Sequence, residues 1–410
     1  MLKLTRGSVV HPSCGLLRLD YDTLSTVCEF LDVRGRGAMH VCRNLHWRLD
    51  YVVTWCTLAM TIRVGHHPRM LRVFSDQPLR VVKLSFHRAR VDIRDIDLLL
   101  LLPSVRVLHL VGLRRKSNYP VHRFHVTQRH LKDFRVVALG CTPRYQPVAE
   151  IIFQSHLSLE YLELHRVGVS GLETVTPRLR KLGLFICQPL EGHAKISLGD
   201  LSNVRALIVR NHSRENNIDF PDFSKIKSLR WMEWKSESGQ VLTSEAGLTD
   251  LRCLVLAKTG IAFNVSKLRK LRRLAVGRSA AAGVYLSNPL PNLHFLTLED
   301  LTIGQTGLFS RFPRLKTLSL FRCRLTTLDG LECCQVLTDI RVNARHCTLD
   351  LSALSACGLL ETVELRNAKV VSVEPLLRCP SLNQVRVYKC TVPDLRLLEN
   401  SAITLDVRAT

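Results

Sequence analysis

Apolar residues recur along most of this chain in one short phrase, at a nearly fixed interval. Leu293, Leu296 and Leu298 are followed one interval later by Leu315, Leu318 and Leu320, and after the same interval again by Leu337, Ile340 and Val342. The last positions of each phrase alternate apolar with polar, the period of a strand that buries one face. The same phrase opens at Leu79, Val105, Leu131, Leu159, Leu179, Val204, Leu229, Leu251, Leu271, Leu293, Leu315, Leu337, Leu360, Leu382 and Ala402. The spacing is wider and less even in the first half and settles in the second. One such strand cannot bury its own leucines, so the copies must stack until their apolar residues form a continuous core. The longer early units leave room for a return helix, expected at Ile93–Leu102 and Val148–His156. The later units leave room for little more than a 3₁₀ turn or an extended segment.

A period of roughly 20–29 residues built on L-x-x-L-x-L resembles the leucine-rich repeat. The resemblance implies an α/β solenoid of about fifteen repeats over residues 71–410, with a curved parallel sheet on its concave face. The position after the strand, often Asn in that family, holds Cys, Leu, Thr or Ala here. Cysteine or water must then satisfy the loop backbone, and Cys187, Cys323 and Cys390 fall at such turns. Alternation places the residues flanking the last two apolar positions on the concave face. Tyr161, Phe185, Trp231, Glu233, Phe295, Phe321, Arg341, Arg366, Arg386 and Tyr388 are the candidate partner contacts there. Aromatics and arginines are the residues enriched at binding hot spots, and Trp231 with Phe295 and Phe321 is the preferred group.

Residues 19–70 follow another rhythm. Leu24, Val27, Phe30 and Leu31 share one helix face, and Ala38, Val41, Cys42 and Leu45 make a second. Gly35 and Gly37 punctuate the stretch between them. The order Leu19, Leu24, Phe30-Leu31, Val41-Cys42-Arg43, Trp47 and Trp55 resembles the F-box motif, although Asp20 stands where that family carries proline. The resemblance implies a small N-terminal helical F-box-like cap that docks on the adaptor subunit of a cullin–RING ubiquitin ligase, while the repeats hold the substrate. Leu19, Leu24, Val27, Phe30, Leu31, Val41 and Trp47 would carry adaptor docking. The other reading of these helices is a plain cap over the solenoid's exposed end.

The formal net charge is +23, spread as +4 over residues 1–70, +9 over 71–150, zero over 151–250 and +10 over 251–410. Such an excess favours nucleic acid or an acidic protein as partner. Its densest run, Lys267, Arg269, Lys270, Arg272, Arg273 and Arg278, should form a basic edge in which Arg273 alone faces the concave side. Residues 1–18 form a tail with Lys3, Arg6, Arg18 and no acid, a composition that suggests a mitochondrial presequence. No apolar run reaches the length of a membrane span. Fourteen scattered cysteines without a C-x-x-C pair suit reduced thiols in an intracellular protein, cytoplasmic or nuclear, with mitochondrial as the alternative. No P-loop, G-x-S-x-G, H-E-x-x-H or G-x-G-x-x-G occurs, and no metal site or cofactor is expected. The sequence therefore reads as a protein-binding repeat module and not an enzyme, an F-box-like substrate receptor in its sharpest form. The alternative is a scaffold subunit of a basic ribonucleoprotein, mitochondrial or otherwise, or of another multiprotein complex.

Overall fold

The computed structural model describes residues 57–63, 81–87, 105–113, 122–138, 147, 149–154, 157–190, 193–211, 218–219, 221–236, 248–257, 265–277, 289–302, 307–325, 327–344, 347–399 and 401–408. The chain divides into two compact units, the first comprising residues 1–201 and 217–221, the second 202–216 and 222–410. Each is a solenoid of parallel strands. A strand begins two residues after every one of the fifteen opening positions.

In the first unit the strands Thr57–Arg63, Val81–His87, Val107–Leu113, Asp133–Ala138, Tyr161–His165 and Lys181–Phe185 pair side by side, all parallel. A second, smaller parallel sheet runs on the return side through His122–Val126, Ala149–Phe153, Gly168–Ser170 and Gln188–Pro189. Leu162, Leu164, Leu182 and Leu184 are buried below the first sheet. Phe134 from that sheet meets Phe153 from the second edge-on, with ring centroids 6.3 Å apart.

This corrects two expectations. Within Val148–His156, expected to be helical, Ala149–Phe153 instead forms a strand paired with His122–Val126. Ala149, Ile151 and Phe153 point inward at a period of two, and Glu150 is held by Arg123 at 2.6 Å. Thr57–Arg63 lies inside the stretch expected to be a helical cap, yet it pairs with Val81–His87 in parallel register. Leu58, Met60 and Ile62 alternate with Thr57, Ala59 and Thr61, so among the described residues the strand ladder includes one repeat before Leu79. The expected helix at Ile93–Leu102 and the adaptor-docking residues Leu19, Leu24, Val27, Phe30, Leu31, Val41 and Trp47 lie outside the described residues.

In the second unit the ladder runs through Ala206–Asn211, Trp231–Ser236, Cys253–Ala257, Arg273–Gly277, Phe295–Glu299, Thr317–Phe321, Asp339–Asn343, Thr362–Arg366, Gln384–Tyr388 and Thr404–Arg408. Its register lines up two inward rows. Met232, Leu254, Leu274, Leu296, Leu318, Ile340, Val363 and Val385 form one; Trp234, Leu256, Val276, Leu298, Leu320, Val342, Leu365 and Val387 form the other. All are at most 2% exposed. Burying one such side chain is worth about 1.5–3 kcal/mol, and a one-residue slip would turn a whole strand's set to solvent, so this burial fixes the register.

The return side of this unit is made of 3₁₀ turns such as Leu308–Arg311, Leu331–Cys333 and Ser352–Ala356. The α-helices among the described residues are single turns, Glu374–Leu377 and Arg396–Glu399. The α/β expectation therefore becomes a β-solenoid with few helices, because the short later repeats have too little chain left after the strand for a longer helix. No helix among the described residues is long and apolar enough to cross a membrane.

Two positional devices hold successive repeats together. Seven residues after the opening position the backbone turns left-handed, with φ between 50° and 57° at Arg166, Ile186, Asp300, Arg322, Asn367 and Lys389. There the backbone N–H reaches the next strand's end, as when Arg166 donates to the Phe185 carbonyl at 2.8 Å and Asp300 to that of Phe321 at 2.8 Å. Cysteines supply the second device. Cys187 donates to the Leu164 carbonyl and Cys323 to that of Leu298, each at 3.3 Å, which is the role the Asn position usually fills. Three residues before the openers runs a further column, Cys334, Cys357 and Cys379, buried and free. Cys357 donates to the Leu331 carbonyl at 3.4 Å and Cys379 to that of Leu354 at 3.2 Å.

Candidate binding face of the strand ladder

In the first unit the outward residues organise around Glu163. Arg135 and Lys181 stand on the flanking strands and His165 two residues along its own, at 3.1, 3.4 and 2.9 Å from its carboxylate. Donation by His165 is the chief cause that brings the Glu163 pKa down to about 2; burial opposes it, and Arg135 and Lys181 add to the lowering. His165 in turn stacks flat on Phe185, with centroids 4.0 Å apart. Gly183 makes room here, since a Cβ would meet the Phe185 ring at 3.0 Å and Glu163 Cγ at 3.3 Å. His109 Nε2 lies 3.1 Å from Asp133 Oδ1 without the alignment of a hydrogen bond. Of the expected contacts in this unit, Tyr161 is 42% exposed while Phe185 is committed to His165.

The second unit presents a different surface. Trp231, Phe295 and Phe321 are 39%, 46% and 39% exposed on the outward face of the ladder. Register places Trp231 between Ala206 and Cys253, Phe295 between Arg273 and Thr317, and Phe321 between Glu299 and Asn343. Each ring thus has small or polar cross-strand neighbours and no aromatic one among the described residues. Mutual packing, the bland reason for aromatics on a sheet face, does not account for them. Between them the floor is made of small outward residues, Val255, Ala275, Gly277, Thr297 and Ser319.

Glu233 closes one side of this floor. It is nearly buried, and Arg210 grips it with Nε and Nη2 at 2.7 and 3.1 Å while Lys235 approaches to 3.0 Å. Burial pushes the Glu233 carboxyl upward, but donation from Arg210 and Lys235 outweighs it and the net shift is downward. Glu233 is therefore a fixed part of the face and not a free contact.

The last strands are charged in alternation. Arg341, Glu364, Arg386 and Asp406 occupy the same position on successive strands. Arg366 bonds Glu364 at 2.6 Å and lies 4.6 Å over the Tyr388 ring, and Arg408 sits at 5.6 Å from that ring. The Tyr388 hydroxyl donates to Asp406 at 3.1 Å. Arg366, Arg386 and Tyr388 are thus largely engaged with their neighbours, whereas Arg341 is exposed.

The basic run divides by position. Lys267 ends a 3₁₀ turn, Arg269 and Lys270 follow it, and Arg273 opens its strand on the outward face. Lys270 pairs with Asp250 at 2.6 Å. Arg278 lies outside the described residues. Arg272 belongs to a feature that reading consecutive residues missed. Arg205, Arg230, Arg252 and Arg272, then His294 and Lys316, each immediately follow an opening position, so they line up strand by strand along the rim. The sign that would have found them is a column in the aligned repeats, not a run in the chain.

The sequence matches no protein-family model and no curated protein. Solved structures do match the fold. The functional domain of InlJ from Listeria monocytogenes, which includes a cysteine ladder, aligns with a TM-score of 0.52 at 15% identity over 83% of this chain and 70% of its own. A TLR13–ssRNA13 complex aligns with a TM-score of 0.52 at 15% identity over 95% of this chain and 60% of its own. A leucine-rich-repeat protein of Leptospira interrogans covers 94% of this chain and 98% of its own at 12% identity, with a TM-score of 0.47. The fold is that of a leucine-rich-repeat protein.

Proposed function

We propose that this chain is a non-enzymatic binding module that holds a protein partner on the outward strand face of its second unit. The observation that carries the reading is the exposure of Trp231, Phe295 and Phe321, none of which has an aromatic cross-strand partner among the described residues, on a face built from rigid, register-locked strands. A stiff floor with a few large side chains standing clear of it is the arrangement of a hot spot, because little conformational freedom is lost on binding. The finer reading is an F-box-like substrate receptor of a cullin–RING ubiquitin ligase, supported by the order of Leu19, Leu24, Phe30-Leu31, Val41 and Trp47. In that role the chain supplies positioning and leaves the chemistry to other subunits.

The test is affinity purification read by mass spectrometry on three chains: intact, Trp231→Ser/Phe295→Ser, and Leu24→Asp/Phe30→Asp. The binding-module reading expects a protein partner that the intact chain retains and the Trp231/Phe295 variant loses at unchanged thermal stability. The receptor reading expects adaptor and cullin subunits that only the Leu24/Phe30 variant loses. Ribosomal or RNA-processing proteins with every chain, and adaptor with none, would replace the receptor by a scaffold subunit, the reading that the +23 charge favours.

A further inference from the structure

The rim where the first six strands of the second unit begin carries basic residues at the pitch of the sheet; at the last four strands the same place holds Thr338, Glu361, Asn383 and Ile403. Arg205, Arg230, Arg252, Arg272 and Lys316 are exposed, and His294 occupies the place between the last two. Their spacing is set by backbone bonds that leave no slack. The Arg205 carbonyl accepts the N–H groups of Arg230 and Trp231 at 2.8 and 3.0 Å. The Arg230 carbonyl accepts those of Arg252 and Cys253 at 2.9 and 3.1 Å, and the Arg252 carbonyl those of Arg272 and Arg273 at 2.8 and 3.0 Å. Neighbouring strands lie about 4.8 Å apart, so the row extends roughly 24 Å over five steps. Among the described residues none of its members forms an ion pair. The nearby acid, Asp250, is already bound to Lys270 at 2.6 Å and only feels Arg230 and Arg252 electrostatically. Lining up like charges costs free energy through repulsion unless a polyanion is to be met.

We infer that this rim binds single-stranded RNA, with phosphates along the row and bases turned onto Trp231 and Phe295. These two exposed rings directly follow row positions Arg230 and His294. Evenly spaced guanidinium groups fit a backbone of evenly spaced phosphates, and adjoining aromatic faces give unpaired bases a surface to stack on. An acidic protein would use the same charges, and the polyanion competition below separates the two. The row is not required for a protein to be held on the strand face, so this inference goes beyond the function proposed above and can fail without it.

The experiment is fluorescence anisotropy of a labelled 20-nucleotide oligouridylate titrated with the intact chain from 50 to 200 mM salt. Five phosphate contacts predict a slope of log K against log salt of about −3.5, hence about a hundredfold loss of affinity over that range. Arg252→Gln/Arg272→Gln should reduce the slope to about −2. Trp231→Ala should weaken binding about tenfold with the slope kept. Arg378→Gln/Arg396→Gln, which removes the same charge from the return side, should leave both unchanged. Equal losses from the two arginine pairs would overturn the inference, as would polyglutamate displacing the RNA at equal charge concentration, which would assign the row to an acidic protein.

Discussion

Arg210 and Glu233 meet across neighbouring strands in a two-point contact, Nε to Oε1 at 2.7 Å and Nη2 to Oε2 at 3.1 Å. The carboxylate side chain is 6% exposed and the guanidinium 44%, so the buried member depends on the exposed one. Arg210→Leu leaves Glu233 with Lys235 alone and should cost about 2 kcal/mol, read as a lowered midpoint in thermal unfolding. Arg210→Leu/Glu233→Leu should cost less than Arg210→Leu by itself, because no buried charge is then stranded.

Glu163 gives the first unit a defined acid sensitivity. Its carboxyl is held at about 2 in the folded chain against 4.5 ordinarily, so the stability it contributes is complete above 4.5 and is lost as pH falls toward 2. The contribution has an upper bound of about 3 kcal/mol. Urea midpoints measured at pH 7 and pH 3 should show the intact chain well above Glu163→Gln at pH 7, with the gap narrowing at pH 3. A gap independent of pH would contradict the charged hub.

Ile186 is the β-branched member of the left-handed row, at φ 56°. That conformation costs an L residue about 1–2 kcal/mol and suits Asn, which already stands at the equivalent Asn367. Ile186→Asn should raise the melting temperature by a degree or more, net of some lost apolar contact. A lowered value would mean that the side chain's packing outweighs its backbone strain.

Neighbouring Cys333 and Cys334 should behave oppositely toward an alkylating reagent. Cys333 is exposed, whereas burial pushes the Cys334 and Cys357 thiols up to about 12. Thiolate is the reactive form, so iodoacetamide at neutral pH should label Cys333 in the native chain and reach Cys334 and Cys357 only after denaturant is added, as followed by peptide mass spectrometry.

The strand ladder was legible because burial enforces a period that local sequence displays. Leu293, Leu296 and Leu298 mark a strand wherever they fall, and register follows once each strand has one apolar face. The return side was less legible. Ala149–Phe153 buries Glu150 as well as its apolar residues, which hides the alternation that would have named it a strand. Outward residues could be assigned to the face but not to their partners, since Glu163 draws Arg135 from the strand before, Lys181 from the strand after and His165 from its own. The rim row was invisible along the chain for the same reason, its members being a whole repeat apart in sequence and joined only by the ladder.

The most direct test of the binding face is site-specific photo-crosslinking in cells, with benzoylphenylalanine placed at position 295 on the outward strand face or at position 377 on the return side. Phe295 and Leu377 are similarly exposed, at 46% and 40%, so accessibility alone does not separate them. Position 295 should give a discrete partner adduct, absent when Trp231 is also changed to Ser, and position 377 none. Adducts of equal yield from both positions, or from position 377 alone, would contradict the binding face.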